Sequence, residues 1–332
     1  MEFSLIICTY QRPDAIIKLS KSVKQQTLYP DEILIIDGSF NNETQNILKK
    51  HRCKNLKYFK VDDKNRGLTK QRNFGISKVS ETSEIICFLD DDTILAPTYF
   101  EKLIATYEKF PKAIGVGGYI MNEVDWKPLL NLVCSKNQFC IDGFSREEGT
   151  RFELRKKLGL IDETPPGFMP KFSHGRSISY LPPSNKIYNV EFFMGGVSSF
   201  KKELFQKIQF STYFEGYGLY EDLDFCLRAS KIGKLYVNTS AKLEHHHEES
   251  GRPNKFLYGK MVVRNGWYVW RVKYPKPSFE SRLRFHLNIL VLMKIRFWNS
   301  LSGNQKKQAF TESLGRFVGW LSLFFNTPKL KQ

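Results

Sequence analysis

The segment Glu84-Ile-Ile-Cys-Phe-Leu-Asp-Asp-Asp92 is an almost unbroken apolar run that stops at three consecutive carboxylates. A strand that is apolar on both of its faces must be buried on both, as happens in a parallel sheet covered by helices. The same grammar recurs upstream. Phe3-Ser-Leu-Ile-Ile-Cys-Thr9 ends at Thr9-Tyr10, Glu32-Ile-Leu-Ile-Ile-Asp37 ends at Asp37-Gly38-Ser39, and Leu56 to Val61 is a third run. Helix-like stretches from Arg12 to Gln25, Glu43 to Lys50 and Leu68 to Val79 separate them. This alternation predicts an α/β domain with a mostly parallel sheet flanked by helices. Ligands of such sheets sit beyond the carboxyl ends of the strands, and three strands here deliver polar groups to that one edge.

Asp90-Asp91-Asp92 has a plain explanation as a solvated acidic turn. Three adjacent carboxylates repel one another unless a cation compensates, however. Hard divalent ions take one or two carboxylates and complete their shell with phosphate oxygens and water. Asn65-Arg66-Gly67, followed by Lys70 and Arg72, offers phosphate-binding cations and a glycine that lets backbone approach a ligand. The plain alternative is a solvated helix start. Glu221-Asp222-Leu223-Asp224 opens a helix predicted from Tyr220 to Lys231. The helix dipole alone favours acids in a first turn; one that faced the ligand edge would have the chemistry of a general base. His245-His246-His247 follows a strand predicted over Lys234 to Val237. Alternate residues share a strand face, so at most two of the three imidazoles point into one site as metal ligands. No GxSxG elbow, GxGxxG fingerprint or P-loop is present, which disfavours a serine hydrolase, a dinucleotide enzyme and a P-loop NTPase.

The 51 basic and 34 acidic side chains of the 332-residue chain leave +17, unevenly placed. From Arg252 to Gln332 sixteen basic residues face two acidic ones, Glu280 and Glu312, a surplus of +14 that leaves +3 for the body. In that basic region Phe310, Leu314, Phe317, Leu321 and Phe324 recur at helical spacing, with Glu312, Gly315, Gly319 and Ser322 on the other side. Such a helix packs on the body or on a second subunit to form a homo-oligomer, or it docks on an anionic membrane surface. Its apolar face is too regular for a nucleic-acid arm, so no nucleic acid is expected as a partner. No run of ~18 apolar residues and no secretory signal pattern occurs, so the protein is expected in the cytoplasm. Six cysteines without a CxxC pair read as reduced thiols rather than disulfides or a zinc site. Residues 121–190, with Pro165-Pro166-Gly167 and Pro182-Pro183, lack periodicity and read as an acceptor-side insertion.

Taken in order, Ile6-Ile-Cys-Thr-Tyr-Gln-Arg12, Ile35-Ile-Asp-Gly-Ser39, Asn65-Arg66-Gly67 with Arg72-Asn73-Phe74-Gly75, Phe88-Leu-Asp-Asp-Asp92 and Glu221-Asp-Leu-Asp-Phe-Cys-Leu-Arg228 resemble a family-2 glycosyltransferase of the GT-A fold. The resemblance spans roughly residues 3–250. It implies an inverting enzyme, at work in bacterial cell-surface polysaccharide synthesis. Such an enzyme moves a sugar from a nucleotide-diphosphate donor, UDP- or dTDP-linked, to a hydroxyl of a glycan or lipid-linked acceptor. Thr9, Tyr10, Arg12, Asp37, Asn65, Gly67 and Arg72 would hold the donor, with Asp90 and Asp91 on its ribose and sugar. Asp92 would coordinate Mn²⁺ or Mg²⁺, with His246 or His245 completing the site. Asp222 would be the general base, with Glu221 beside it. The chain departs from the family at Ile36, where a second aspartate is common, and at Phe40. It also lacks the QxxRW signature and transmembrane helices of processive synthases, which implies single addition. A sugar nucleotidyltransferase would want a Gly-rich loop after the first strand, which Thr9-Tyr10-Gln11-Arg12-Pro13 does not supply. The expected organisation is a catalytic domain over 1–250, containing the insertion, and a basic helical region over 251–332. That helical region would make an oligomer contact or hold the enzyme peripherally on the inner face of the cell membrane.

Overall fold

The structure is a computed structural model that describes residues 1–129, 133–135, 137–172, 174–247, 253–302 and 305–330. The expected boundary at 250–251 and the helix break at Gly303-Asn304 lie outside the described residues. Strands β1 (Phe3–Thr9), β2 (Glu32–Asp37), β3 (Leu56–Lys60) and β4 (Ile85–Asp90) alternate with helices α1 (Pro13–Lys24), α2 (Glu43–Lys50) and α3 (Leu68–Ile76). These agree with the sequence expectation to within a few residues at the ends. Next come β5 (Thr93–Leu95), α4 (Tyr99–Lys109), β6 (Ala113–Ile120), β7 (Lys127–Pro128), β8 (Gln138–Ile141), β9 (Phe144–Glu147) and α5 (Thr150–Lys157). The remaining elements are β10 (Ile187–Val190), β11 (Val197–Lys201), α6 (Glu221–Ala229), β12 (Lys234–His245), α7 (Lys255–Lys273), α8 (Phe279–Ser302) and α9 (Lys306–Phe325).

The chain divides into two compact units, Met1–Trp126 with Leu181–Gly251, and Lys127–Tyr180 with Arg252–Gln332. The first unit holds the large sheet, in the order β10-β12-β6-β11-β4-β1-β2-β3, with β5 paired to β12. Strands β3, β2, β1 and β4 run parallel; β1, β2 and β4 are buried on both faces, and β3 is the partly exposed edge. Thr9 pairs in register with Asp37, and Cys8 with Asp90. That register sets the polar strand ends at one level. Strand β11 enters antiparallel between β4 and β6, a pairing that no local pattern announced. Strand β12 is much longer than the expected 234–237. Its far end pairs with β5, His245 opposite Thr93, which draws the first histidine of the cluster into the sheet.

In the second unit β7, β9 and β8 form a small sheet. Trp270 of α7 stacks on Phe285 of α8 at 4.4 Å and donates from Nε1 to the carbonyl of Lys171. Buried Arg155 of α5 donates from Nε to Asn288 Oδ1 of α8 at 2.7 Å. The stretch after β7 and the C-terminal helices therefore share one interior. Cys134 and Cys140 are joined by a disulfide, which corrects the expectation of reduced thiols for this pair. The chain turns between them into β8, so two cysteines six apart in sequence meet without a CxxC spacing. Cys8, Cys53, Cys87 and Cys226 are free thiols. Among the described residues no helix is long and apolar enough to cross a membrane.

Candidate active site

The ends of β1 and β2 form the first wall. Thr9 donates from Oγ1 to Asp91 Oδ2 at 2.7 Å, and Arg12 donates to Asp91 Oδ1 at 3.0 Å and to Asp92 Oδ2 at 3.5 Å. Burial pushes the Asp91 carboxyl up to about 6, against the pull of Arg12 and Thr9. Asp37 is fully buried. Its Oδ1 accepts from the Ser39 amide at 2.7 Å and its Oδ2 from the Tyr58 hydroxyl at 2.8 Å. Gln71 of α3 donates from Nε2 to the carbonyls of Thr9 and Ile36, tying the two strand ends together. Beside them Tyr10 meets Phe40 edge to face at 6.1 Å, and the Arg66 guanidinium lies 3.9 Å above the exposed Phe40 ring. Asn65 donates from its backbone and its side chain to Asp62 Oδ1, a local turn. Gly67 then enters α3 at φ +112°, a conformation that favours glycine.

At the second edge, Asp90, Asp92 and His245 bring one ligand atom each within 4.8 Å of one another. His245 Nε2 is 3.0 Å from Asp92 Oδ1, and its Nδ1 is 3.0 Å from Glu123 Oε1. Burial opposes the imidazolium, but the hydrogen bonds to Asp92 and Glu123 outweigh it and lift His245 to about 10. The other two histidines lie just past the end of β12 and point to different partners. His246 sends its ring to Glu244 at 3.0 Å, whereas His247, two residues on from His245, returns to Glu123 at 3.1 Å. His245 therefore joins the carboxylates, and His246 contributes its backbone amide to the Asp92 carbonyl instead. Two carboxylates and an imidazole are a donor set that fits a divalent cation such as Mn²⁺.

Helix α6 supplies the third edge, after Tyr220 at φ +68°. Glu221 is buried against Arg72, whose other terminal nitrogen lies 3.4 Å from Asp90 Oδ1. Burial pushes Glu221 up to about 8 although Arg72 pulls it down. A guanidinium does not give up its proton, so Arg72 carries the positive charge between Glu221 and Asp90. Asp222 is less buried. Its Oδ2 accepts from the Gly195 amide at 3.1 Å and its Oδ1 from the Leu223 amide at 2.7 Å. Burial raises its carboxyl and these two amides restrain it, which leaves a fixed carboxylate suited to accept a proton. Asp224 is turned away into an ion pair with Arg228 at 2.6 Å.

Asp90 and Asp222 approach because Gly195-Gly196 lies between them. A Cβ on Gly195 would stand 2.6 Å from the Arg72 guanidinium and 2.7 Å from Glu221 Oε1, and one on Gly196 would fall on the Asp90 carboxylate. The glycine pair is visible in the sequence as a point of ordered pattern, yet nothing local tells what it makes room for. Gln71, Tyr58 and Glu123 carry no such signal; only the packing puts them beside Thr9, Asp37 and His245.

The profile of one protein family, Glycosyl transferase family 2, matches residues 4–207. Among characterised relatives, the O-antigen chain rhamnosyltransferase RfbN of Salmonella typhimurium is 31% identical over 129 residues, 39% of this chain and 40% of the relative. The glucosyl-dolichyl phosphate glucuronosyltransferase of Haloferax volcanii is 29% identical over 128 residues, 38% of this chain and 40% of the relative. The chain thus matches about two fifths of the length of these two curated relatives. The crystal structure of GalNAc-T7 with UDP, GalNAc and Mn²⁺ superposes with a TM-score of 0.51 at 15% identity, covering 99% of this chain and 59% of that one. At that identity the likeness concerns the fold, which is GT-A.

Proposed function

The chain belongs to glycosyl transferase family 2, and on that premise we propose that it transfers a sugar from a nucleotide-diphosphate donor to a hydroxyl of a glycan or lipid-linked acceptor, with inversion at the anomeric carbon. The observation that carries this reading is the meeting of three groups at one edge of the sheet. These are the Asp90–Asp92–His245 cluster, the Arg72 guanidinium that links Asp90 to Glu221, and the Asp222 carboxylate fixed by two backbone amides. In this reading Asp222 accepts the proton of the acceptor hydroxyl as its oxygen bonds to the anomeric carbon. The bond from that carbon to the diphosphate oxygen breaks on the opposite face. General-base action of this kind is worth typically 10²–10⁴-fold in rate. Asp90, Asp92 and His245 would hold Mn²⁺ or Mg²⁺, which when bound neutralises charge developing on the leaving diphosphate. Arg72 bridges Asp90 and Glu221 and holds both in place. Thr9 and Arg12 orient Asp91 toward the donor end of the sheet.

UDP or dTDP is the nucleotide we expect, and GalNAc-T7, which shares the fold, was crystallised with UDP and Mn²⁺. The names of the relatives, one acting on O-antigen and one on a dolichyl phosphate carrier, support an acceptor for surface polysaccharide that is delivered on a lipid at the inner face of the membrane. A thermal-shift screen of nucleotide diphosphates and their sugars, with and without Mn²⁺, tests the donor. One preferred donor whose effect needs the metal is the expected outcome. Proton NMR of the product then reads the anomeric configuration. Retention of configuration, or no response to any nucleotide-diphosphate sugar, would overturn the reading.

A further inference from the structure

Helix α9 is packed inside out. Its buried residues are Ala309, Glu312, Ser313, Gly315, Gly319 and Leu323, all but the last small or polar. A methyl at Gly315 or at Gly259 of α7 would fall on the backbone of the facing helix, so the two helices touch main chain to main chain. Glu312 sits in this seam at 4% exposure, neutralised by Arg316 at 2.7 Å and Arg296 of α8 at 2.8 Å. The aromatic stripe therefore faces outward, with Phe324 57% and Phe325 90% exposed. Helix α8 continues the surface with Phe279 at 82% and Trp298 at 61%. Between the two helices runs an apolar groove of about 330 Å³, lined by Met293, Phe297, Phe310, Leu314 and Phe317, with Lys294 among its walls. Exposed aromatic surface on this scale marks an interaction site.

We propose that the outward faces of α8 and α9 dock the protein in the plane of an anionic lipid bilayer. Charge selects this occupant. Residues 252–332 carry +14, so a second copy would bring a like-charged region against this one, whereas acidic headgroups attract it. The groove is apolar throughout its lining apart from Lys294 and Ser313, so acyl chains can fill it. With no helix among the described residues able to span, Phe, Trp and Leu side chains enter the interface while lysines such as Lys306 and Lys307, both exposed, remain at headgroup level. The docking is independent of the donor chemistry, since its residues lie outside the site described above.

The test is co-sedimentation of the full chain with phosphatidylcholine vesicles, with and without phosphatidylglycerol. Binding to the mixed vesicles should be at least about tenfold tighter than to the neutral ones, and should weaken with salt. The combined change Phe317→Ser, Leu321→Ser and Phe324→Ser alters exposed side chains. It should reduce binding by about tenfold or more while donor binding stays as in the parent and melting temperature falls only modestly, since Phe324 also stacks on His286. Lys306→Glu with Lys307→Glu should lower both the affinity and its salt dependence. As a second readout, brominated lipid should quench tryptophan fluorescence in the parent, and less so in Trp298→Phe. Failure of the parent to bind anionic vesicles would overturn the proposal. So would unchanged binding by the triple variant, or a parent dimer that the triple variant converts to monomer. Loss of donor binding with vesicle binding intact would instead count against the transferase reading alone.

Discussion

A methyl group added at Gly196 would land on the carboxylate of Asp90, with even the farther oxygen only 2.7 Å from the ideal Cβ position. The backbone has little freedom to retreat. The Gly196 carbonyl accepts from the Asp90 amide at 3.0 Å, and the next residue, Val197, pairs with Leu89 in the sheet. The carboxylate must swing aside instead, away from Arg72 and out of the cluster with Asp92 and His245. Displacing a reacting or ligand-holding group by about 1 Å lowers rates on the order of 100-fold, or about 2.7 kcal/mol of transition-state stabilisation. Overpacking of this kind destabilises a fold by roughly 1–3 kcal/mol, so the variant should remain folded. Gly196→Ala is therefore expected to lose about 100-fold in kcat/KM and to bind Mn²⁺ more weakly by calorimetry, with a modest fall in Tm. Gly195→Ala is the companion. Its methyl meets Arg72 and Glu221 rather than Asp90, so kcat should fall while Mn²⁺ affinity is largely kept. Parental turnover and Mn²⁺ affinity in Gly196→Ala would refute the placement of Asp90 at the reacting centre.

Other expectations follow from the same geometry. Asp222→Asn should lower kcat by about 10²–10⁴-fold with donor Kd unchanged, measured by single-turnover kinetics beside calorimetry; near-parental turnover would remove Asp222 from the mechanism. Asp92→Asn should weaken donor binding in the presence of Mn²⁺ and leave metal-free binding alone. Glu123→Ala releases His245 Nδ1 and should reduce Mn²⁺ affinity by about 10–100-fold, with partial recovery in Glu123→Gln. His174 lies in the second unit, where burial and then Arg155 pull its imidazole down to about 4. An unfolded histidine titrates near 6.5, so the unfolded chain takes up a proton that the folded one refuses as pH falls below that value. Stability of this unit should drop between pH 6.5 and 4 by at most about 3 kcal/mol relative to His174→Gln, seen as a difference in denaturant midpoints. Parallel pH profiles of the two proteins would rule the effect out.

Much of the first unit was legible in one dimension. A parallel strand buried on both faces writes itself as a continuous apolar run, and β1 and β2 were readable to the residue. The polar residue ending each run falls at the carboxyl edge of the sheet by chain direction alone, so Thr9, Asp37 and Asp90 group together from the sequence. Period two also limited how many of the three histidines could enter the site.

Which histidine enters was a matter of register. It depends on β12 running on to His245 and pairing there with Thr93, a contact between residues far apart in sequence. Partners reached from elsewhere in the fold, such as Glu123 on His245, Tyr58 on Asp37 and the Gly195-Gly196 gap beneath Asp90, have no sequence period to announce them. The disulfide between Cys134 and Cys140 depends on a turn of the chain in a stretch without periodicity. Helix α9 shows the division most plainly. Its spacing fixes which residues share a stripe, because 3.6 residues make a turn whatever surrounds the helix. Whether that stripe faces inward is decided by what its neighbours can accept, and here α7 meets Gly315 and Gly319 at close range and holds the small Ser322 through Arg264. The sequence by itself determined the strands, their order of motifs and the stripe; tertiary packing alone decided which groups meet at the edge and which way the aromatic face looks.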